Sequence, residues 1–158
     1  MTRTQDPADL FIPNGSELNA EVVRAAGLAS LPFPENIGED EWRALIALVD
    51  DDRLTLWTHE FGHAPRRFGP MAPEAALEQI WDQSYKTQLV QVSETPLYVW
   101  VPADVDYFVL FGAPEIVRRV VEAKVFEYGL GDYAAEPLHS AAHRARLGDI
   151  ARRYGYIR

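Results

Sequence analysis

All four histidines of the chain fall into two pairs spaced four residues apart, His59 with His63 and His139 with His143. Neutral imidazole is the commonest side-chain ligand for zinc and suits several other divalent ions. On a helix, residues i and i+4 lie about 5–6 Å apart on one face, close enough to share an ion. On a strand the same two residues are about 13 Å apart, because each residue advances about 3.3 Å. What each pair can do therefore depends on the element that carries it. His139 and His143 fall in a stretch that reads as helix, and a four-histidine metal site requires both pairs to converge. Otherwise the four are exposed or capping side chains.

The string His59–Glu60–Phe61–Gly62–His63 resembles the zinc-binding helix of the zincin metallopeptidases. The resemblance implies His59 and His63 as zinc ligands and Glu60 as general base on the metal-bound water. Glu78, or Glu74 before it, would be the third ligand, and the chain would be a zinc-dependent hydrolase. The surrounding residues point to strand or loop instead. Leu54–Thr58 alternates and carries two Thr; Gly62 weakens a helix, and Pro65 would break one, clashing around Phe61. Arg66 also stands where the metzincin extension has Gly. We expect neither a bound cofactor nor a metal on this reading.

Other catalytic patterns are missing. The chain has no Cys, which excludes disulfides, thiolate zinc sites and a cysteine nucleophile. It has no Gly-x-Ser-x-Gly elbow, phosphate loop or dinucleotide fingerprint. Ser140 lies between two histidines, and Ser84 has no visible base.

Charge is the stronger signal. The net charge of −9 argues against nucleic acid as a direct partner, since each phosphate contact needs a cation. Seven acidic residues, Glu35, Glu39, Asp40, Glu41, Asp50, Asp51 and Asp52, stand in one stretch beside a single Arg43. Arg144, Arg146, Arg152, Arg153 and Arg158 make the C-terminus basic, with Asp149 among them. Both segments suit solvated faces that meet one another, or the acidic one suits a landing patch for a basic protein.

These residues need elements to hold them. The 158-residue length suits one domain, 17–158, behind a loose leader, 1–16. No apolar run is long enough to cross a membrane, and Met1–Ala20 lacks the apolar core of a secretory signal, so a cytoplasmic protein is expected. Ser16 is placed to cap a helix over 17–26 that Gly27 ends. A connector with Pro32 and Pro34 follows, then a helix over Glu39–Val49 and a strand from Leu54. Arg66–Ala72 reads as loop, and Pro73 opens a helix whose inner face is Leu77, Ile80, Trp81 and Ser84. Leu89–Val92 and Leu97–Val101 flank Glu94–Pro96 and read as a hairpin or one kinked strand, and Tyr107–Phe111 as a buried strand. A Pro114 helix with Ile116, Val117, Val120 and Val121 inward comes next. Loops at Tyr128–Gly131 and Pro137 precede a last helix over 139–154. The expected fold is α+β, with a small antiparallel or mixed sheet packed by four to five helices.

The stretch Tyr98–Pro102, then Asp106–Gly112 before a Pro-capped helix, resembles small bacterial proteins of the toxin-immunity type and neighbouring families of unknown function. The resemblance implies a non-enzymatic binding protein that neutralises a basic toxin or nuclease. The acidic stretch, Glu39, Asp40, Glu41, Asp50, Asp51 and Asp52, would bind that partner, with Trp42 as anchor if exposed. The remaining alternative is a homodimer in which the basic C-terminal helix meets the neighbour's acidic segment.

Overall fold

The computed structural model describes residues 6–60, 62–92, 95–103, 107–127 and 129–156. Phe61, Glu94, Asp106, Tyr128 and Arg158, singled out in the sequence, lie outside the described residues. The apolar run at Tyr107–Gly112 forms a strand, β6, in which every residue is buried. It lies inside a six-stranded sheet with β1 (Ala29–Pro34), β2 (Leu54–His59), β3 (Arg66–Met71), β4 (Thr87–Val92) and β5 (Leu97–Val101). The strand order is β1-β6-β5-β4-β2-β3, and each neighbouring pair is antiparallel.

Alternation along the strands divides the core in two. Leu54, Leu56, Val90, Val92, Leu97, Val99, Phe108 and Leu110 face one side of the sheet. There they meet α3 (Glu39–Val49), α4 (Pro73–Asp82) and α5 (Pro114–Glu122), through Trp42, Leu45, Leu77, Ile80 and Val120. Trp57, Leu89, Trp100, Val109 and Phe111 face the other side. They meet α1 (Pro7–Phe11), α2 (Ala20–Ala25), α6 (Leu130–Ala134) and α7 (Ala141–Tyr154). A sheet covered on both faces needs apolar residues at consecutive positions, which explains the unbroken run in β6. Each such fully buried side chain contributes about 1.5–3 kcal/mol. The fold is thus α+β with a wholly antiparallel sheet and seven described helices, more than the four to five expected.

Several elements differ from expectation for local reasons. Residues 7–12, expected in the loose leader, hold α1, whose Ala8 and Phe11 are buried with Ile12 in the second core. The helix expected from residue 17 starts at Ala20, because Asn19 and not Ser16 accepts from the Glu21 and Val22 amides. The connector with Pro32 and Pro34 is the edge strand β1. Ser30 exchanges backbone bonds with Tyr156 on the side away from β6. Pro32 and Pro34 share that outward register, so their missing N–H groups cost the ladder nothing. The expected loop at Arg66–Ala72 is likewise an edge strand, β3, mostly exposed. Residues 130–134, in a region expected as loop, form α6, and the last helix begins at Ala141 after Ser140, whose hydroxyl accepts from the His143 amide at 3.1 Å. Among the described residues no helix is long and apolar enough to cross a membrane.

Candidate functional site

The two histidine pairs lie in different parts of the fold. His59 is the last residue of β2, in register with Thr87 of β4, so the string resembling the zincin helix is strand and then turn. The His63 amide donates to the Glu60 carbonyl at 3.0 Å, closing that turn, and Gly62 takes a φ of 82°. His59 shares the sheet face of Trp57 and lies against Gly15, between α1 and α2. Glu74 and Glu78 stand on α4, over the opposite face. Glu60 is exposed, with its carboxylate 4.0 Å from the Lys86 ammonium. His139 precedes α7 and is not on the helix with His143, but the two rings are in contact, 5.0 Å apart, and Tyr133 packs on His139. Both α6 and α7 pack on β1. Four strand spacings, about 19 Å, separate β1 from β2. Among the described residues no three His, Asp or Glu groups are placed to hold an ion. Neither His59 and His63 with Glu78 nor the set His59, His63, His139 and His143 is brought together.

The acidic stretch is divided by the helix it contains. Glu39, Asp40 and Glu41 form the first turn of α3, where negative charge favours the helix N-terminus. Asp50 follows its last turn in the left-handed conformation, with φ 51°, and Asp51 accepts from the Arg53 amide at 3.1 Å. Eleven residues of helix place the two triplets about 16 Å apart, so they are two clusters and not one patch. Glu41 is half-buried and turns toward a recess of about 320 Å³ between Phe33 and Phe126, shared with Glu35, Glu127 and Glu136. Burial, then Glu35 and Glu127, push its carboxyl above its ordinary value.

A more complete site lies between α3 and α4. Glu39, Trp42, Arg43, Ile46 and Ala47 recur at the spacing of one helical face, and Glu74, Leu77, Glu78, Trp81 and Asp82 do the same on α4. Together they line a groove of about 600 Å³. Trp42, the expected anchor if exposed, is only 1% exposed and forms the floor, its indole N–H donating to the Pro73 carbonyl at 2.8 Å. Trp81, expected to point inward, is 47% exposed and forms a wall, donating to the Ile37 carbonyl at 3.1 Å. Ile46 and Leu77 complete the apolar surface, and Glu39, Glu74, Glu78 and Asp82 surround it. Arg43 is the one cation in the lining, and it pairs with Glu39. The sequence carried a signal for this groove: carboxylates at 74, 78 and 82 bracket Leu77 and Trp81 on one side of α4.

The basic residues lie elsewhere. Arg152 pairs with Asp149 on α7, and Arg153 rests near the Tyr154 ring. Because α7 covers the opposite face of the sheet from α3, the acidic and basic segments of one chain belong to different layers. The structure therefore does not place them against each other. Comparison with known proteins finds no match to this chain among protein-family models, curated proteins or solved structures.

Proposed function

We propose that the protein is a non-enzymatic binding protein that captures a basic protein partner on its α3–α4 layer. The observation that carries this reading is the acid-rimmed groove, in which Glu39, Glu74, Glu78 and Asp82 surround an apolar floor with one counter-charge among the lining residues. Asp40 and the Asp50–Asp52 cluster extend the negative field on the same layer and would steer a cationic surface toward it. The resemblance of Tyr98–Pro102 and Asp106–Gly112 to toxin-immunity proteins suggests the specific role: blocking a basic toxin or nuclease by occupying its cationic site. Such a role needs clustered carboxylates and no catalysis of its own.

Affinity capture at low and high salt tests this, using the wild-type chain, the triple variant Asp50→Lys/Asp51→Lys/Asp52→Lys and the double variant Glu74→Lys/Glu78→Lys. The wild type should retain a basic protein that high salt releases, and at least one variant should lose it through a slower association rate. A partner that is neutral or acidic, or one bound equally by all three chains, would refute the proposal.

A further inference from the structure

We infer that the α3–α4 groove seats a single amphipathic helix of the basic partner, with that helix's apolar stripe on Ile46, Leu77 and Trp81 and its Lys or Arg residues along the flanks. The inference rests on the binding reading above and specifies the shape of what is bound.

Three observations favour a helix over an extended segment. First, the groove runs between two helices whose backbone groups are bonded internally, so it offers side chains and no strand edge. An extended peptide here would bury its own N–H and C=O groups without partners, whereas a helix satisfies them itself. Second, the dimensions agree. Glu39–Val49 is about 16 Å long, equal to three helical turns, and about 600 Å³ accommodates the apolar stripe of such a helix. Third, the floor is preorganised. Trp42 is bonded to the start of α4, and Trp81 to the residues before α3, so neither indole must be ordered on binding. A half-exposed, fixed tryptophan at the wall is the kind of side chain on which interface energy concentrates.

Charge selects the sign of the occupant. Glu74, Glu78 and Asp82 make no ion pair among the described residues, and Glu39 holds Arg43 at the edge. An acidic or neutral helix would leave these carboxylates partly desolvated with nothing to offset the cost. Lys and Arg on both flanks of the stripe would meet them, their long stems lying over the rim.

The test is a displayed library of peptides about four helical turns long, panned on the full chain. Selected peptides should share apolar residues at three- and four-residue spacing flanked by Lys or Arg. They should gain helical circular dichroism on binding, shift amide resonances of 39–47 and 73–82, and quench or shift Trp81 emission. Trp81→Ala should weaken them about tenfold or more; the surface pair Glu74→Lys/Glu78→Lys, which leaves the core untouched, should do the same. Peptides with strand alternation, binding mapped outside the two helices, or no consensus would overturn the helix seat. Capture of a basic protein that survives both groove substitutions but fails on reversal of Asp50–Asp52 would overturn it while leaving the basic partner in place. Loss of neither in the capture experiment refutes both.

Discussion

At Glu41 two effects of opposite sign compete on one carboxylate. The start of α3 favours the charged form, while burial, and then the nearby Glu35 and Glu127, disfavour it and raise the pKa. Its folded pKa lies above the unfolded one, so any stability it lends is present at pH below about 4.5 and is lost as pH rises through the folded value. The expected outcome for Glu41→Gln is a melting temperature that gains on wild type between pH 4 and pH 7, measured by thermal denaturation across that range. A constant difference at all pH values would show that the carboxylate is not strained by its recess. At the other end of the scale, burial pushes the Tyr107 hydroxyl up to about 12, so its ionisation works against the fold only in strong alkali.

At the scale of elements, the groove depends on how α4 is held. Gln88, fully buried on β4, donates its amide to the Ile80 and Gln83 carbonyls at 3.0 and 3.1 Å. One side chain from the sheet thus ties down the end of α4 from which Trp81 projects. Replacing Gln88 by Ala leaves both carbonyls without this donor, at a cost of about 1–3 kcal/mol. Urea denaturation should register that loss, and Trp81 emission should move toward that of exposed indole before global unfolding. If Trp81 emission is unchanged, the wall of the groove is held by its own bond to Ile37 alone. The element also decides the fate of His59 and His63. The strand propensity of Leu54–Thr58 carries through His59, and β4 pairs with it to that residue, so the spacing that suits a helix never acquires one.

For the whole molecule, the six-stranded sheet keeps two charged layers apart. The acidic α3–α4 layer and the basic α7 layer pack on opposite faces, so a copy that meets its neighbour's α7 leaves its own α7 open. Such contacts are head-to-tail and would build chains rather than a closed pair. This is the physical difficulty with a homodimer formed by these two segments, and it favours a separate basic partner. Sedimentation at physiological salt should accordingly show a monomer, with open-ended, concentration-dependent association only at low ionic strength. A salt-sensitive, closed dimer would make the homodimer the leading reading.

Periodicity in the sequence was enough to determine most of the elements: α3, α4 and α5, the strand runs β4 and β5, and the buried β6 all follow from apolar residues at the right spacing, while the pairing of β4 with β5 came from the structure. The alternation of Leu54–Thr58, with Gly62 and Pro65 as helix breakers, also pointed to strand or loop rather than a helix at His59–His63. Edge strands were not legible, because Pro32 and Pro34 resemble loop residues until the register shows that their missing N–H groups point away from β6. The short helices α1 and α6 were hidden for a related reason: a single turn has too few apolar positions to show a period. The acidic stretch was legible as charge but not as geometry, since α3 carries its two halves to opposite ends. Only the tertiary structure joined Glu39 and Ile46 to Glu74, Glu78 and Trp81, because sheet pairing brings the two helices onto one layer and leaves their outward faces to form a groove.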